Sequence, residues 1–186
     1  MPTVRPILLG LAFLLGGCAG PREYAPDSPH YAYPADLKID LNRPLAIPPG
    51  QASVRLQYGR AVARNGVEET EPYCIFEIDT VSDSPQAVQP DRFRITRFQR
   101  RVETFSGMPA LPWHVVAIGN DDDGGPSLLY FISEFRLHSA TQPGVRSLTC
   151  QVNQAGAAIP RHLTLAEIRQ ALGTYFSLEL PRQSSV

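Results

Sequence analysis

Apolar and polar residues alternate along much of the chain, as they do in β-strands that bury one face. The clearest alternation runs from Ala52 to Tyr58, where every second residue is apolar. Similar or shorter patterns predict further strands over 37–41, 73–79, 92–102, 113–118, 128–138 and 147–152, with a hairpin over 128–152. The apolar spacing slips between Ile95 and Phe98, which predicts a β-bulge in that strand.

Helical periodicity is confined to the C-terminal end of the sequence. Thr164 and Glu167 have the spacing of a capping box, in which each side chain accepts a hydrogen bond from the other residue's backbone N–H. The apolar residues that recur at helical spacing are Leu165, Ile168, Leu172 and Phe176, and Pro181 is predicted to end the helix. Short strands followed by one helix predict a mainly β fold, either an antiparallel β-sandwich or a small barrel, with one C-terminal amphipathic helix over one face.

Length and composition are those of a single packed domain. The chain has 186 residues, of which 43% are hydrophobic and 19% charged, and its formal net charge is −1. This apolar fraction excludes wholesale disorder, and the near-zero charge argues against a nucleic-acid partner. We expect the globular domain to cover residues 36–181, with a short tail over 182–186. Several prolines within residues 18–35 predict an extended tether before the domain.

Residues 1–17 have the layout of a secretory signal peptide. Arg5 precedes an apolar run from Ile7 to Leu15, which is too short to span a bilayer. The residues that end at Cys18, Leu-Gly-Gly-Cys, resemble the lipobox of bacterial lipoproteins. That resemblance implies cleavage before Cys18 and acylation of the new N-terminus, which gives stable membrane anchoring. Ala19, where an aspartate commonly retains such proteins in the inner membrane, implies sorting to the outer membrane. An ordinary signal peptide with an incidental cysteine is the alternative.

Two cysteines remain once Cys18 is assigned to lipid. Cys74 shares the apolar face of its segment with Phe76, and Cys150 shares one with Leu148. Two core-facing thiols on separate strands, in an oxidising compartment, predict a disulfide between Cys74 and Cys150. Two buried thiols without a bond are the alternative. Because isolated cysteines lack the paired spacing of structural zinc sites, they predict no metal site.

Five arginines fall between positions 92 and 101. Arg92 and Arg94 share the polar face of a predicted strand, and with Arg97 they form a stripe suited to bind anionic headgroups or glycans through forked hydrogen bonds. Ion pairing on the surface is the alternative interpretation. The acidic run 121–123 lacks the alternate spacing of a calcium loop and is better explained as a turn between strands.

The sequence contains no local motif for catalysis, a cofactor or a metal. It has no His-Glu-x-x-His, no Gly-x-Ser-x-Gly and no phosphate-binding glycine loop, and its four histidines are widely spaced. We therefore predict no cofactor and no metal, and we favour a non-catalytic protein over an enzyme. An envelope hydrolase is an alternative, in which His114 or His138 meets a distant serine or acid in the fold.

Four segments of the domain carry a wider likeness: 45–50 (LAIPPG), 54–59 (VRLQYG), 71–77 (EPYCIFE) and 90–93 (PDRF). They resemble lipoproteins of Gram-negative bacteria that have no assigned activity, and the resemblance implies an address in the cell envelope. We expect a protein anchored by lipid to the outer membrane, facing the periplasm, that binds or scaffolds an envelope protein without catalysis. A binder of an anionic glycolipid or glycan through Arg92, Arg94 and Arg97 is the second hypothesis.

Overall fold

The computed structural model describes residues 24–34, 36–105, 108–109, 129–154, 157 and 159–181. The strands in these residues are β1 (Lys38–Leu41), β2 (Leu45–Ile47), β3 (Ser53–Gln57), β4 (Arg60–Val62), β5 (Tyr73–Ile78), β6 (Gln86–Val88), β7 (Asp91–Phe105), β8 (Met108–Pro109), β9 (Tyr130–His138), β10 (Val145–Asn153) and β11 (Phe176–Glu179). Helix α1 covers Leu165–Leu172, and a 3-10 turn covers Arg64–Gly66. Among these described residues, no helix is long and apolar enough to cross a membrane. Cys18, the predicted strand 113–118 and the acidic run 121–123 lie outside them.

Most strands belong to one antiparallel sheet. Its hydrogen-bonded order is β11-β1-β7-β9-β10-β5-β3-β4, with β8 paired to β7, while β2 and β6 form a separate two-stranded ribbon. The sheet curls into a half-barrel, and the helix lies near the C-terminus. The predicted fold class, mainly β with one C-terminal helix, is confirmed. The half-barrel corresponds to the barrel form of that prediction.

The curl places strands from both halves of the sheet around one hydrophobic core. The Phe76 ring of β5 lies 6.0 Å from Phe93 of β7 and 5.4 Å from Phe176 of β11, measured between centroids. Helix α1 packs against β3, β5 and β11 and buries Leu165 and Ile168 in this core. Because strand residues alternate between faces, the other face of the same strands carries mainly polar side chains.

Helix α1 begins at the predicted cap but ends earlier than the apolar spacing indicated. The Thr164 hydroxyl accepts from the Glu167 backbone N–H, and the Glu167 carboxylate accepts from the Thr164 N–H. The helix ends at Gly173, whose φ of 56° lies in the region that favours glycine. The prediction that Phe176 continues the helix toward Pro181 is wrong. Phe176 begins β11, which pairs with β1 and covers an edge that would otherwise be open.

The turn after β3 also departs from the predicted alternation. Tyr58, placed on the buried face by its spacing, has a φ of 51° and is 51% exposed in the turn that joins β3 to β4. Gly59 follows it with a φ of 73°, and its backbone N–H donates to the Ala171 carbonyl at 3.0 Å. This turn therefore docks against the end of helix α1, which explains why the strand ends before Tyr58.

The long strand β7 contains the predicted bulge. Its pairing with β9 shifts register between Ile95 and Arg97, so that Ile95 and Phe98 both lie on the core face. Strands β9 and β10 form the antiparallel hairpin predicted for 128–152. The extra residue at the bulge keeps Arg92, Arg94 and Arg97 on one face of the sheet, although their sequence spacing changes there.

The segment before β1 is partly attached to the domain. The Tyr33 ring lies 4.7 Å from Phe98 and 5.2 Å from Phe135 between centroids, with both contacts edge-on. Tyr33 is partly buried and packs against the edge of the hydrophobic core. The tether expected over 18–35 therefore includes, near its end, a side chain that is held by the sheet.

Candidate functional site

A polar groove of about 440 Å³ lies on the face of the sheet opposite the hydrophobic core. Residues of β3, β5, β7, β9 and β10 line it, and the segment 64–69 contributes one side. Ile75, for example, lines the groove, while its neighbours Cys74 and Phe76 point into the core. A concave volume of a few hundred cubic ångströms is typical of ligand sites.

Glu134 lies on β9, one of the five strands that line the groove, and is engaged by three side chains. Arg101 and Gln99 donate to its Oε2, Gln99 at 3.0 Å, and Arg136 lies 2.7 Å from its Oε1. Burial alone would raise the pKa of Glu134, but the hydrogen bond and charge of Arg101, with those of Gln99 and Arg136, lower the pKa below its usual value. Glu134 is therefore an ionised acceptor that fixes its neighbours and is poorly suited to proton transfer.

Two tyrosine hydroxyls also end in the groove. Tyr130 donates to Oε2 of Glu69, and Tyr73 accepts from the side-chain amide of Gln151. Burial raises the pKa of Tyr130, and the hydrogen bond and negative charge of Glu69 raise it further. Burial also raises the pKa of Tyr73. Both hydroxyls therefore stay protonated at neutral pH and act as fixed hydrogen-bonding groups.

Three arginines of the groove have no acid partner within the described ranges. The side chains of Arg55, Arg64 and Arg146 make no hydrogen bond or ion pair there. Burial lowers the pKa of Arg55, and the positive charge of Arg64 lowers it further. The nearby acid Glu77 accepts instead from the Ser147 hydroxyl, at 2.6 Å. The groove thus holds guanidinium donors that remain available to a ligand.

Arg92, the first residue of the predicted anion site, is already paired with acids. Its Nε and Nη2 donate to the two carboxylate oxygens of Asp40 at 2.6 and 2.9 Å, and Nη2 also donates to Glu179 at 3.1 Å. Hydrogen bonding to Asp40 raises the pKa of Arg92, and the charges of Asp40 and Glu179 add to this rise. The ion-pair interpretation therefore fits Arg92 in this structure.

Arg94 and Arg97 lie on the same sheet face as Arg92, but their neighbours are basic. Arg94 is the register partner of Lys38 on β1 and of His138 on β9, and Arg97 is the partner of Arg136. Arg94 and Arg97 are exposed, and neither makes an ion pair with the part of the chain that the structure describes. Like charges directly opposite each other on a sheet reduce stability. These two residues therefore form the part of the predicted stripe that can still bind an anion.

The predicted disulfide joins Cys74 and Cys150. The two residues are register partners on β5 and β10, with Cα atoms 4.0 Å apart, and neither is exposed. The bond spans 76 residues of sequence and contributes about 4 kcal/mol in the chain-entropy model. The bond lies on the core side of β5 and β10, two strands that line the groove. It therefore holds these two strands together on the face opposite the groove.

The histidines do not assemble a recognisable catalytic site in the described residues. His138, proposed for a hydrolase, is exposed on β9 and makes no hydrogen bond or ion pair there. His114 lies outside the described residues. Over the same ranges, no three His, Cys, Asp or Glu side chains are grouped so that they could hold a metal ion.

The groove itself was not predicted. Alternation placed Arg55 and Glu77 on the polar faces of their strands, but it could not show that β3, β5, β10, β9 and β7 are consecutive neighbours in one sheet. No protein-family model, curated protein or solved structure matches the chain. The function must therefore be inferred from the chemistry of the groove.

Proposed function

We propose that the chain is a lipoprotein of the Gram-negative outer membrane, facing the periplasm, and that it acts without catalysis as a binding or scaffolding module of the envelope. The groove of about 440 Å³ carries this proposal, because a concave surface lined by fixed polar groups suits a ligand or a segment of a partner. The leader and Cys18 supply the proposed address.

The groove contains two kinds of polar side chain, and together they favour ligand binding over catalysis. Glu134 and Tyr130 are engaged by neighbouring side chains and keep one protonation state around neutral pH. Arg55, Arg64 and Arg146 instead have donors without acid partners among the described residues. Such donors suit carboxylate, phosphate or hydroxyl oxygens of a partner. The groove therefore combines polar groups that are fixed by hydrogen bonds to their neighbours with arginine donors that can bind a ligand.

Photo-crosslinking in the bacterial envelope tests this proposal. A photoreactive phenylalanine replaces Val67, which lines the groove, and in a second protein it replaces Gln170, which is exposed on helix α1. We expect a discrete adduct from position 67 and none from position 170. Arg146→Ser should lower the yield from position 67 because it removes one unpaired donor. Identical adducts from both positions, or no adduct from position 67, would contradict the groove as the binding surface.

A second candidate function is binding of an anionic envelope ligand by the arginine stripe. It is favoured most by the surroundings of Arg94, since Lys38 lies directly opposite it. Arg136 lies opposite Arg97, but it is paired with Glu134. An anion at this position would relieve the repulsion between like charges. Glycolipid headgroups and phosphorylated glycans carry such charges, and both occur in the proposed compartment.

Three substitutions on one strand test the second candidate. Arg94→Ser and Arg97→Ser should each reduce retention of the protein on vesicles that contain anionic glycolipid, because their guanidinium groups have no acid partner among the described residues. Arg92→Ser is the matched control and should change retention less, because Asp40 and Glu179 already neutralise Arg92. Equal losses from all three variants, or no loss from any, would remove this candidate.

A further inference from the structure

Four polar side chains meet on the core face of β7 and β9, on the opposite side of the sheet from the groove. Arg100 and Ser133 are register partners on the two strands. The Arg100 guanidinium carbon lies 5.5 Å from the centroid of the Tyr33 ring. The His162 ring lies 5.4 Å from that of Phe131, which is two residues from Ser133 on β9. The four side chains therefore come from four separate parts of the sequence.

Each of these side chains buries at least one polar atom that lacks a hydrogen-bond partner among the described residues. The atoms are the Tyr33 hydroxyl, Nε and Nη2 of Arg100, Oγ of Ser133 and Nδ1 of His162. Ser133 is 0% exposed, so solvent cannot reach it from outside. A buried polar group without a partner costs about 1–3 kcal/mol. Their concentration in one place indicates that another group satisfies them together.

The two unpartnered nitrogens of Arg100 are the pair that binds a carboxylate side-on. Arg92 shows this pair in use, because its Nε and Nη2 donate to the two oxygens of Asp40 at 2.6 and 2.9 Å. The same edge of Arg100 is buried, and no acid of the described chain pairs with it. The fork of Arg100 is therefore preorganised for a carboxylate that these residues do not supply.

Charge balance limits the group that fits. Burial raises the pKa of Tyr33 to about 12 although the adjacent Arg100 guanidinium opposes the rise, so the Tyr33 hydroxyl keeps its proton. The hydroxyl lies near Arg100 but forms no well-aligned hydrogen bond with it. Burial lowers the pKa of His162 to about 4, with the charges of Arg100 and His30 adding to the effect, so the imidazole is neutral at pH 7. Arg100 is then the one charged member of the four. A single negative charge balances it, whereas a phosphate dianion would leave excess charge in a buried place.

We propose that Arg100, Ser133, Tyr33 and His162 form a binding site for the carboxylate of a small organic acid. The guanidinium fork of Arg100 holds both oxygens, and the hydroxyls of Ser133 and Tyr33 donate one hydrogen bond each. Aromatic rings border the site, since the Phe98 centroid lies 5.4 Å from the Arg100 guanidinium carbon and Phe131 packs on His162. These rings would pack on the body of a flat apolar acid, which therefore suits the site better than acetate does. This site is separate from the groove, and either can fail without the other.

Arginine side-chain NMR of the purified full-length protein tests the proposal. Spectra of the arginine Nε–H groups are recorded at pH 8, at which inorganic phosphate is mainly the dianion, while acetate, benzoate or inorganic phosphate is added. We expect one Nε–H signal, missing from the Arg100→Met spectrum, to shift saturably with both carboxylates, at lower concentration for benzoate, and not with phosphate. Arg94→Met is the matched control, because Arg94 is exposed on the other face, and it should leave benzoate binding unchanged.

Ser133→Ala is a second variant that tests the site if Arg100→Met does not fold. Loss of one charge-assisted hydrogen bond should weaken benzoate binding about tenfold. Absence of any saturable shift with either carboxylate would overturn the proposal and leave buried water as the partner of these atoms. Benzoate affinity unchanged in Ser133→Ala would overturn the assignment of the site. Phosphate binding more tightly than acetate would overturn the assignment of the ligand.

Discussion

The arginines of the sheet divide according to whether an acid lies within reach of the guanidinium. Arg92 is held by Asp40, and Arg101 is held by Glu134 and Glu103. Arg55, by contrast, makes no ion pair within the described residues, although the charges of Glu77 and Glu69 act on it at longer range. An exposed ion pair contributes at most about 1 kcal/mol of stability. Pairing therefore matters more for binding than for stability. The N–H donors of a paired arginine already bind an acid, whereas those of an unpaired arginine can bind a ligand.

His162 makes stability depend on pH, and the direction follows from its pKa. Burial lowers this pKa from 6.5 to about 4 in the folded protein. Between pH 6.5 and pH 4, the unfolded chain takes up a proton at His162 and the folded protein does not. The stability that the neutral ring allows is therefore fully present above pH 6.5 and is lost progressively down to about pH 4.

Urea denaturation at pH 7, 6, 5 and 4 checks this expectation. Wild-type protein should lose more stability over this interval than His162→Gln, which has no proton to take up. His138→Gln is the control, because His138 is exposed on β9, and it should follow the wild-type curve. Parallel curves for His162→Gln and wild type would show that His162 does not contribute to the acid sensitivity.

At the residue scale, sequence predicted the cysteine pair but could not separate the arginines. Cys74 and Cys150 had few alternatives, since both lay on apolar strand faces in a chain that we predict to be exported. Arg92 and Arg94 looked equivalent because each is outward on one strand. The acids that neutralise Arg92 lie 52 and 87 positions away in sequence, so only the pairing of β1, β7 and β11 reveals them.

At the scale of elements, helix α1 and the turn after β3 are in close backbone contact. Gly173 ends the helix with a φ of 56°, and a Cβ at that position would overlap the Gly59 Cα. The Gly59 N–H donates to Ala171 of the helix, so the two segments are joined by backbone alone. A glycine on each side allows this approach, and it places the chain to enter β11 beside β1.

Replacement of Gly173 by alanine should therefore be strongly destabilising. We expect a loss of about 2 to 4 kcal/mol, because the substitution combines an unfavourable backbone conformation with an overlap against backbone atoms. Chemical denaturation measures the loss. Gly144→Ala is the matched control, since a Cβ there meets no atom within 4 Å, and its effect should stay below about 1 kcal/mol. Equal effects of the two substitutions would show that this contact is not needed.

Element boundaries show where sequence patterns succeed and where tertiary structure overrides them. The bulge in β7 and the β9–β10 hairpin were predictable because local spacing and turn residues encode them. The end of the helix was not. Phe176 continues the helical spacing, yet it packs on Phe76 as part of β11, and that choice depends on an unpaired edge of β1. Apolar spacing alone cannot show whether Phe176 belongs to a further helical turn or to a strand.

At the scale of the whole molecule, one curled sheet separates two environments. The inner face packs against helix α1 and contains the disulfide, together with the proposed carboxylate site at Arg100. The outer face carries the groove and the basic residues around Arg94. The disulfide between β5 and β10 fixes two strands that serve both faces. The mainly β architecture could be predicted from the alternation of apolar and polar residues. The groove and the proposed carboxylate site could not, because they depend on which strands are neighbours in the sheet.

The proposed function depends on the assignment of the protein to the envelope, and the intact mass of the mature protein tests that assignment most directly. We expect a chain of residues 18–186 that carries acyl groups on Cys18 and lacks two hydrogens because of the Cys74–Cys150 bond. Cys18→Ala should lose the acyl mass and the membrane association together. A mature chain that retains residues 1–17, or that has Cys18 without acyl groups, would show that the assignment to the envelope is wrong.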